Sequence, residues 1–444
     1  MHYLNICRRL QKKTLEKAKG QIIVINERPY DVDGEAGRFH FTTHRVVQDG
    51  KSVFDTSKDV FVTLRGKEYY RTVGFKEIAY IYGDTNESFR KTADLINRLR
   101  QQQQDGTPSR TLQESTEREG QQILDYVKDQ SNRILEQNGF SEDGQYQANS
   151  TEYCQAEPVL LPSADIIKAA NQCSDDFDKA QLLTNPVGYE DPTTTTNIAI
   201  DDVNVKRQNS NRPKEKDSEE QKSKYAHNTI AHVENGKKKY TLNGGDTKSV
   251  LLFIMAFCFS NNLIGTRLQF FTDGHTFLNK AILKALSWYS NIGIILDWYH
   301  LRKKCKEKLS MAMKGRVIRN EVLEKLMPML WHGLTEKAIN FLNETDTSLI
   351  KNQTRMAELI SYLERNKPYI PCYEIRKKLG LKNSSAIGEK MNDLVVAERQ
   401  KHNGMSWSKE GSVALASITA LKRNNESRKW FEEKELDFRL VAKN

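Results

Sequence analysis

The stretch Leu268 to Arg302, LQFFTDGHTFLNKAILKALSWYSNIGIILDWYHLR, constrains the fold more than any other part of the chain. A short apolar run, Leu268-Gln269-Phe270-Phe271, stops at Thr272-Asp273-Gly274-His275. Phe277, Leu278, Ile282, Leu283 and Leu286 follow at helical spacing, which predicts an amphipathic helix. A second apolar run, Ile292 to Leu296, stops at Asp297-Trp298-Tyr299-His300. Strand, helix and strand in this order make a parallel crossover unit, and such units gather ligands at the C-terminal ends of their strands. Asp273 and Asp297 both fall there. An isolated Asp-Gly also starts turns and caps helices, so Asp273 has a purely structural reading beside the chemical one.

Composition narrows the classes. The 444 residues allow two or three domains. Lys and Arg exceed Asp and Glu by 68 to 58, a balance suited to a polyanionic partner. Met1 to Lys19 is charged throughout, unlike a signal peptide, and the apolar run Val250 to Phe259 is too short to span a bilayer. The six cysteines form no Cys-x-x-Cys pair or His/Cys cluster, so neither structural zinc nor a disulfide framework is expected. A soluble protein of a reducing compartment is expected.

Residues 1 to 74 read as a mixed region, with strands at Gln21 to Ile25 and Val60 to Leu64 and turns at Asp33-Gly34 and Asp49-Gly50. Residues 75 to 140 read as helical. Phe75 to Tyr82, a break at Gly83-Asp84-Thr85, and Asn86 to Arg100 suggest a helix-turn-helix, with Ala79 as the small residue and Phe89 as the packing residue. An ordinary helical hairpin fits the same pattern. Its second helix offers Arg90, Lys91, Arg98 and Arg100 to DNA. Gln101 to Pro108 reads as a linker and Leu112 to Asn138 as a long polar helix, ended by Gly139. Residues 141 to 196 are turn-rich and read as a linker region.

A catalytic domain is expected from 197 to 444. Ile198 to Lys206 alternates like a strand with Asp201 and Asp202 in its middle; Tyr225 to Glu234 and Lys237 to Leu242 flank the hairpin signal Asn235-Gly236; Gly244-Gly245-Asp246 opens an apolar helix. The order strand, strand, strand, helix, strand, helix, strand is that of an α/β ribonuclease H-like core. Its first and fourth strands are neighbours, so Asp201 and Asp273 could meet. Glu389 offers a third carboxylate from a later helix, with Glu398 as a rival. Phosphodiester chemistry needs such a cluster because two divalent ions, roughly 4 Å apart, hold the attacking and leaving oxygens in line. Magnesium suits a few carboxylates completed by water and phosphate oxygen.

Residues 197 to 431 resemble the catalytic region of bacterial DDE insertion-sequence transposases, in the branch related to Mutator-like elements. The matching pieces are Ile200-Asp201-Asp202-Val203, Thr272-Asp273-Gly274-His275, Leu296-Asp297-Trp298-Tyr299-His300, and Gly388-Glu389 followed by Arg399 and Gly404-Met405-Ser406-Trp407. That branch carries Cys- or Asp-x-x-His after its fifth strand, before a helical insertion that precedes the catalytic Glu. Residues 301 to 384 read as this insertion. The resemblance implies a transposase that cuts at the ends of its element and joins them to target DNA. Asp201, Asp273 and Glu389 would hold two magnesium or manganese ions, and Asp202 remains open as the ligand in place of Asp201. Asp297, His300 and Arg399 would edge the active site or touch DNA; for His300 a place in the core is the alternative. Trp407 is a core residue or a base-stacking one. The resemblance further implies terminal inverted repeats and target duplex as partners, a homo-oligomer assembled on DNA, no membrane, and a bacterial cytoplasmic, nucleoid-associated location.

From Arg302 to Arg319, Lys and Arg outnumber the single acid Glu307. Such a run is usually a solvated helix face, yet Arg302, Lys303, Lys304 and Lys306 could also track a phosphate backbone. Two rivals stand beside the transposase reading: another ribonuclease H-like nuclease, such as a junction resolvase or hybrid hydrolase, and a DNA-binding protein without catalysis.

Overall fold

A computed structural model of the chain describes residues 22–54, 70–81, 88–102, 106–141, 143–147, 160–174, 176–208, 224–384, 393–401 and 405–442. Two compact units emerge, Met1–Thr116 with Ser427–Glu435, and Glu117–Glu426 with Leu436–Asn444. The division therefore does not follow the boundaries expected at 74, 140 and 196.

In the first unit, β1 (Ile22–Gly34), β2 (Gly37–Gln48), β3 (Lys51–Phe54) and β4 (Tyr70–Arg71) form a sheet of order β3-β2-β1-β4. Asp49 and Gly50 both take positive φ, the left-handed pair that a tight hairpin needs, as expected. The β1–β2 hairpin, however, closes at Glu35-Ala36 and not at Asp33-Gly34. Asp33 is fully buried, where Arg38 and Arg100 neutralise it. The strand expected at Val60 to Leu64 lies outside the described residues.

Helix α1 (Val73–Lys76) is capped by Thr72 and continues as a π-helical turn, Glu77–Ile81. The turn expected at Gly83-Asp84-Thr85 lies outside the described residues. Helix α2 (Phe89–Leu99) starts at Ser88, whose hydroxyl accepts from Lys91 N (3.2 Å). It buries Phe89, Thr92, Ala93 and Ile96, an i, i+3, i+4, i+7 stripe. Arg90, Lys91 and Arg98 are exposed on its other side. Arg100 is not available to DNA: it is buried, donates to Asp33 (2.7 Å) and stacks on Phe75 (4.6 Å). The long polar helix is α3 (Ser109–Gln137), which starts before the expected Leu112.

The second unit is an α/β structure on a mixed six-stranded sheet. Residues 160 to 196, read from composition as a linker, are packed into this unit. Helices α4 (Ser163–Asn171) and α5 (Lys179–Leu183) bury Ala169, Ala170 and Leu182 beside Cys372 and Ile375. Glu190 forms a fully buried two-pronged pair with Arg376 (2.6 and 2.5 Å). Turn-forming residues had concealed these short apolar faces.

The sheet strands are β5 (Thr195–Lys206), β6 (Tyr225–Asn235), β7 (Lys238–Gly244), β8 (Arg267–Thr272), β9 (Ile292–Leu296) and β10 (Val441–Ala442), in the order β10-β7-β6-β5-β8-β9. β5, β8 and β9 run parallel, and β6 runs antiparallel to β5 and β7. The β6–β7 hairpin turns at Gly236, whose φ of 56° only glycine adopts cheaply. Helices α6 (Thr247–Ser260), capped by Asp246, and α7 (Thr276–Ala285) cover one face of the sheet, meeting Ile198, Ile200, Leu268 and Phe270.

The opposite face carries Phe271 and Ile295, and strand alternation explains the division. A helical bundle covers it: α8 (Trp298–Ala312), α9 (Arg316–Trp331), α10 (Thr335–Asn343), α11 (Gln353–Asn366) and α12 (Tyr373–Lys378). Phe271, Ile295 and Leu296 share a core with Leu301, Cys305, Leu309, Leu359 and Tyr362 of the bundle. The stretch expected to be all helical to 384 thus leaves helix after Lys378. Helix α13 (Lys409–Arg423) is capped by Ser408 and packs on β6 and β7. Among the described residues no helix is long and apolar enough to cross a membrane.

Candidate active site

Ala199 of β5 pairs in parallel register with Phe271 of β8. Asp201 and Asp273 stand two residues further along the same two chains, so both lie on the sheet face that carries Phe271. β8 in turn pairs Thr272 with Leu296 of β9, and Asp297 N donates to Thr272 O (2.9 Å). Three aspartates therefore end up at one edge of three neighbouring parallel strands. Each is fixed differently.

Asp201 Oδ1 accepts from Asp202 N (2.8 Å). Burial pushes its carboxyl up to about 6, Asp273 adds to the rise, and His300 opposes it. Asp202 sits across from Thr229 of β6, and the Thr229 hydroxyl donates to its carboxylate. Strand alternation sends the adjacent side chains to opposite faces. Asp201, and not Asp202, thus shares the sheet face of Asp273.

Asp273 closes a tight turn in which its Oδ1 accepts from His275 N (2.8 Å). Gly274 has φ 79°, and a Cβ there would come within 2.7 Å of Leu296 and 3.0 Å of the Tyr362 hydroxyl. Tyr362, from α11, donates that hydroxyl to Asp273 O (3.0 Å). The turn matches the structural reading of Asp273, and it also fixes where the carboxylate stands.

Asp297 is fully buried. It caps α8, accepting from Tyr299 N (2.8 Å) and His300 N (3.2 Å), and accepts from Ser384 Oγ at 3.1 and 3.0 Å. Its Oδ1 also lies 3.5 Å from His300 Nδ1. Burial works against the His300 imidazolium, but Asp297, Asp201 and Asp273 outweigh it and hold the His300 pKa above its ordinary value. The acidic edge thus favours the protonated form of His300. Glu389 lies outside the described residues. Among the described residues no three His, Cys, Asp or Glu side chains converge tightly enough to hold a metal ion.

No protein-family model matches the chain, and no curated protein matches it.

The remaining expected residues sit around this edge or away from it. Arg399 is buried, stacked on Trp407 (5.3 Å), with Nη1 3.3 Å from Met405 Sδ. Trp407 is itself buried and forms a parallel bridge with Arg207, just past β5. That burial makes it a core residue here. The π-helical turn Asp393–Ala397, after Glu389 in the chain, packs against β5. Glu398 opens the short helix that follows. Arg302, Lys303, Lys304 and Lys306 are exposed on α8, whose buried stripe is Leu301, Cys305, Leu309 and Ala312. The first turn of that same helix carries His300. Tyr362, Ser384 and Thr229 escaped the sequence reading because nothing local marks a hydroxyl that bonds a distant aspartate.

Proposed function

We propose that the second unit is a divalent-metal-dependent DNA transposase of ribonuclease H-like type. The observation that carries this reading is the register of Asp201 and Asp273 on neighbouring parallel strands. Strand order supports it: from β5 the sheet reads third, second, first, fourth, fifth, with the second antiparallel, followed by a helical bundle after the fifth strand. That order resembles the ribonuclease H-like core. The bundle on the acidic face and the cationic side of α8 suit a polyanionic substrate.

The donors fit magnesium. They are hard carboxylate oxygens, and Asp201 is forced toward its protonated form by burial and by Asp273 unless positive charge is near. Asp201 and Asp273, with Glu389, would hold the ions. Bound magnesium supplies positive charge to the scissile phosphate and acidifies the attacking hydroxyl. The chain's own residues set the stage for this. The Gly274 turn and Tyr362 fix Asp273, the strand fixes Asp201, and Asp297 orients His300 toward both. His300 donates positive charge to the pair and can hold a proton at the site edge. In the first unit, α2 with exposed Arg90, Lys91 and Arg98 is the proposed recognition helix of a helix-turn-helix.

The test is cleavage and joining of duplex carrying the inverted repeats that flank the gene. Wild-type protein with magnesium should free 3′ ends and join them to target DNA; Asp201→Asn, Asp273→Asn and Glu389→Gln should do neither while still binding DNA. Cutting without joining would favour a ribonuclease H-like nuclease. Activity in EDTA, or unaltered joining by Asp273→Asn, would refute the mechanism.

A further inference from the structure

At the far end of the bundle, α8 ends at Ala312 and α9 starts at Arg316. The connection is pinned on both sides: Lys314 N donates to Leu349 O (3.0 Å), Lys351 N to Ala312 O (2.8 Å), and Met313 bridges Ile350. Gly315 turns the chain at φ 112°, with open space where a Cβ would stand. On this rigid tip the apolar side chains face water. Val317 is 70% exposed, Met311 41% and Leu349 36%. Lys314, Arg316 and Lys351 are exposed around them, and Arg319 donates to Ser310 and Asn320. No acid occurs from Ser310 to Asn320. Two acids adjoin the tip: Glu321 follows Asn320, and Asp346 accepts from Ser348 N and Oγ and lies near enough to feel the Lys314 charge.

Apolar residues held in solvent on a fixed turn mark a contact surface, and a ring of cations selects an anionic partner. Minor-groove proteins combine these two features: Lys or Arg enters the groove while apolar side chains press on its floor. The narrow groove of A·T tracts strengthens the attraction, because its potential is more negative. We propose that Lys314-Gly315-Arg316-Val317 is a minor-groove contact that prefers A·T-rich duplex, apart from the acidic pair. This rests on the reading of the chain as a DNA-acting enzyme. Lys314 and Arg316 flank the glycine, so both can enter one groove with no Cβ between them to meet its wall.

The test is fluorescence anisotropy of the full chain, in EDTA, with A·T-only and G·C-only duplexes of equal length. Wild type should favour the A·T duplex on the order of 10-fold, and the minor-groove ligand distamycin should abolish that preference. Lys314→Ala/Arg316→Ala and Val317→Ser should bind both duplexes alike, with unchanged melting temperature because these side chains are exposed. Arg302→Ala/Lys303→Ala should weaken both affinities equally and keep the preference. Equal binding of the two duplexes by wild type, or a preference that survives Lys314→Ala/Arg316→Ala, overturns the tip contact and leaves the DNA reading standing. Failure of wild type to bind either duplex overturns the DNA reading itself.

Discussion

Asp297 lies 3.5 Å from His300 across the first turn of α8, a carboxylate that no solvent reaches beside an imidazole that faces two further aspartates. The arrangement makes one residue the cap of a helix and the anchor of a cation. Asn caps a helix about as well as Asp but carries no charge. Asp297→Asn should therefore keep α8 and lower the His300 pKa, since burial then acts with one fewer opposing carboxylate. Titration of the His300 ring by NMR measures this; an unchanged or higher value would mean that Asp297 does not set it.

The same electrostatics fix a pH dependence. Asp201 holds its proton more tightly folded than unfolded, about 6 against 3.8. Its contribution to stability is thus full below the unfolded value and is lost as pH rises through about 6. His300, also raised, loses its contribution as pH climbs through its folded value, so both act in one direction. Protein stripped of divalent metal should melt lower at about pH 7.5 than at about pH 5, with about 1.4 kcal/mol of stability lost from Asp201 over that window. Asp201→Asn should flatten that fall, and magnesium should raise the melting temperature more at the higher pH, where no proton competes. Calorimetric scans across pH decide it.

The Asp273 turn depends on a residue far along the chain. Tyr362→Phe removes one hydrogen bond to Asp273 O, a loss of about 0.5–1.5 kcal/mol. Gly274→Ala is expected to cost more, because a Cβ meets Leu296 and Tyr362 at a positive φ. Both should lower the cleavage rate with less effect on DNA affinity. A cleavage assay beside a binding titration separates these, and equal losses in both would mean a merely global defect.

In the first unit, Arg100 and Arg90 should behave oppositely. Arg100→Ala leaves Asp33 buried with weaker neutralisation, and breaking such a pair costs about 3–5 kcal/mol. Arg90→Ala/Lys91→Ala leaves the exposed side of α2 intact in stability and should lower affinity for terminal-repeat DNA. Denaturant melts of the two variants, with gel shifts on the second, check the pair.

The crossover unit was legible because two apolar runs of strand length flank a helical stripe, and the hairpin because Asn-Gly fixes a turn. Asp201 within its strand and Asp273 at the end of its own were legible as acids of neighbouring strands. Seeing that Asp201 and not Asp202 shares the face of Asp273 needed the register, which depends on pairing distant in sequence. Arg100 misled because a cation at a helix end looks free until its buried carboxylate, Asp33, is seen. Residues 160 to 196 misled because short apolar faces such as Ala169, Ala170 and Leu182 are too brief to outweigh their turn residues. Asp297 of the D-x-x-H motif was expected to edge the active site or touch DNA, and its enclosure under Ser384 was not legible because the two lie far apart in sequence.

Magnesium binding by isothermal titration calorimetry, on wild type, Asp201→Asn, Asp202→Asn and Asp273→Asn, tests the acidic pair most directly. Wild type and Asp202→Asn should bind, and Asp201→Asn and Asp273→Asn should lose most of the binding heat. Undiminished binding by Asp201→Asn and Asp273→Asn, or loss confined to Asp202→Asn, would contradict the site.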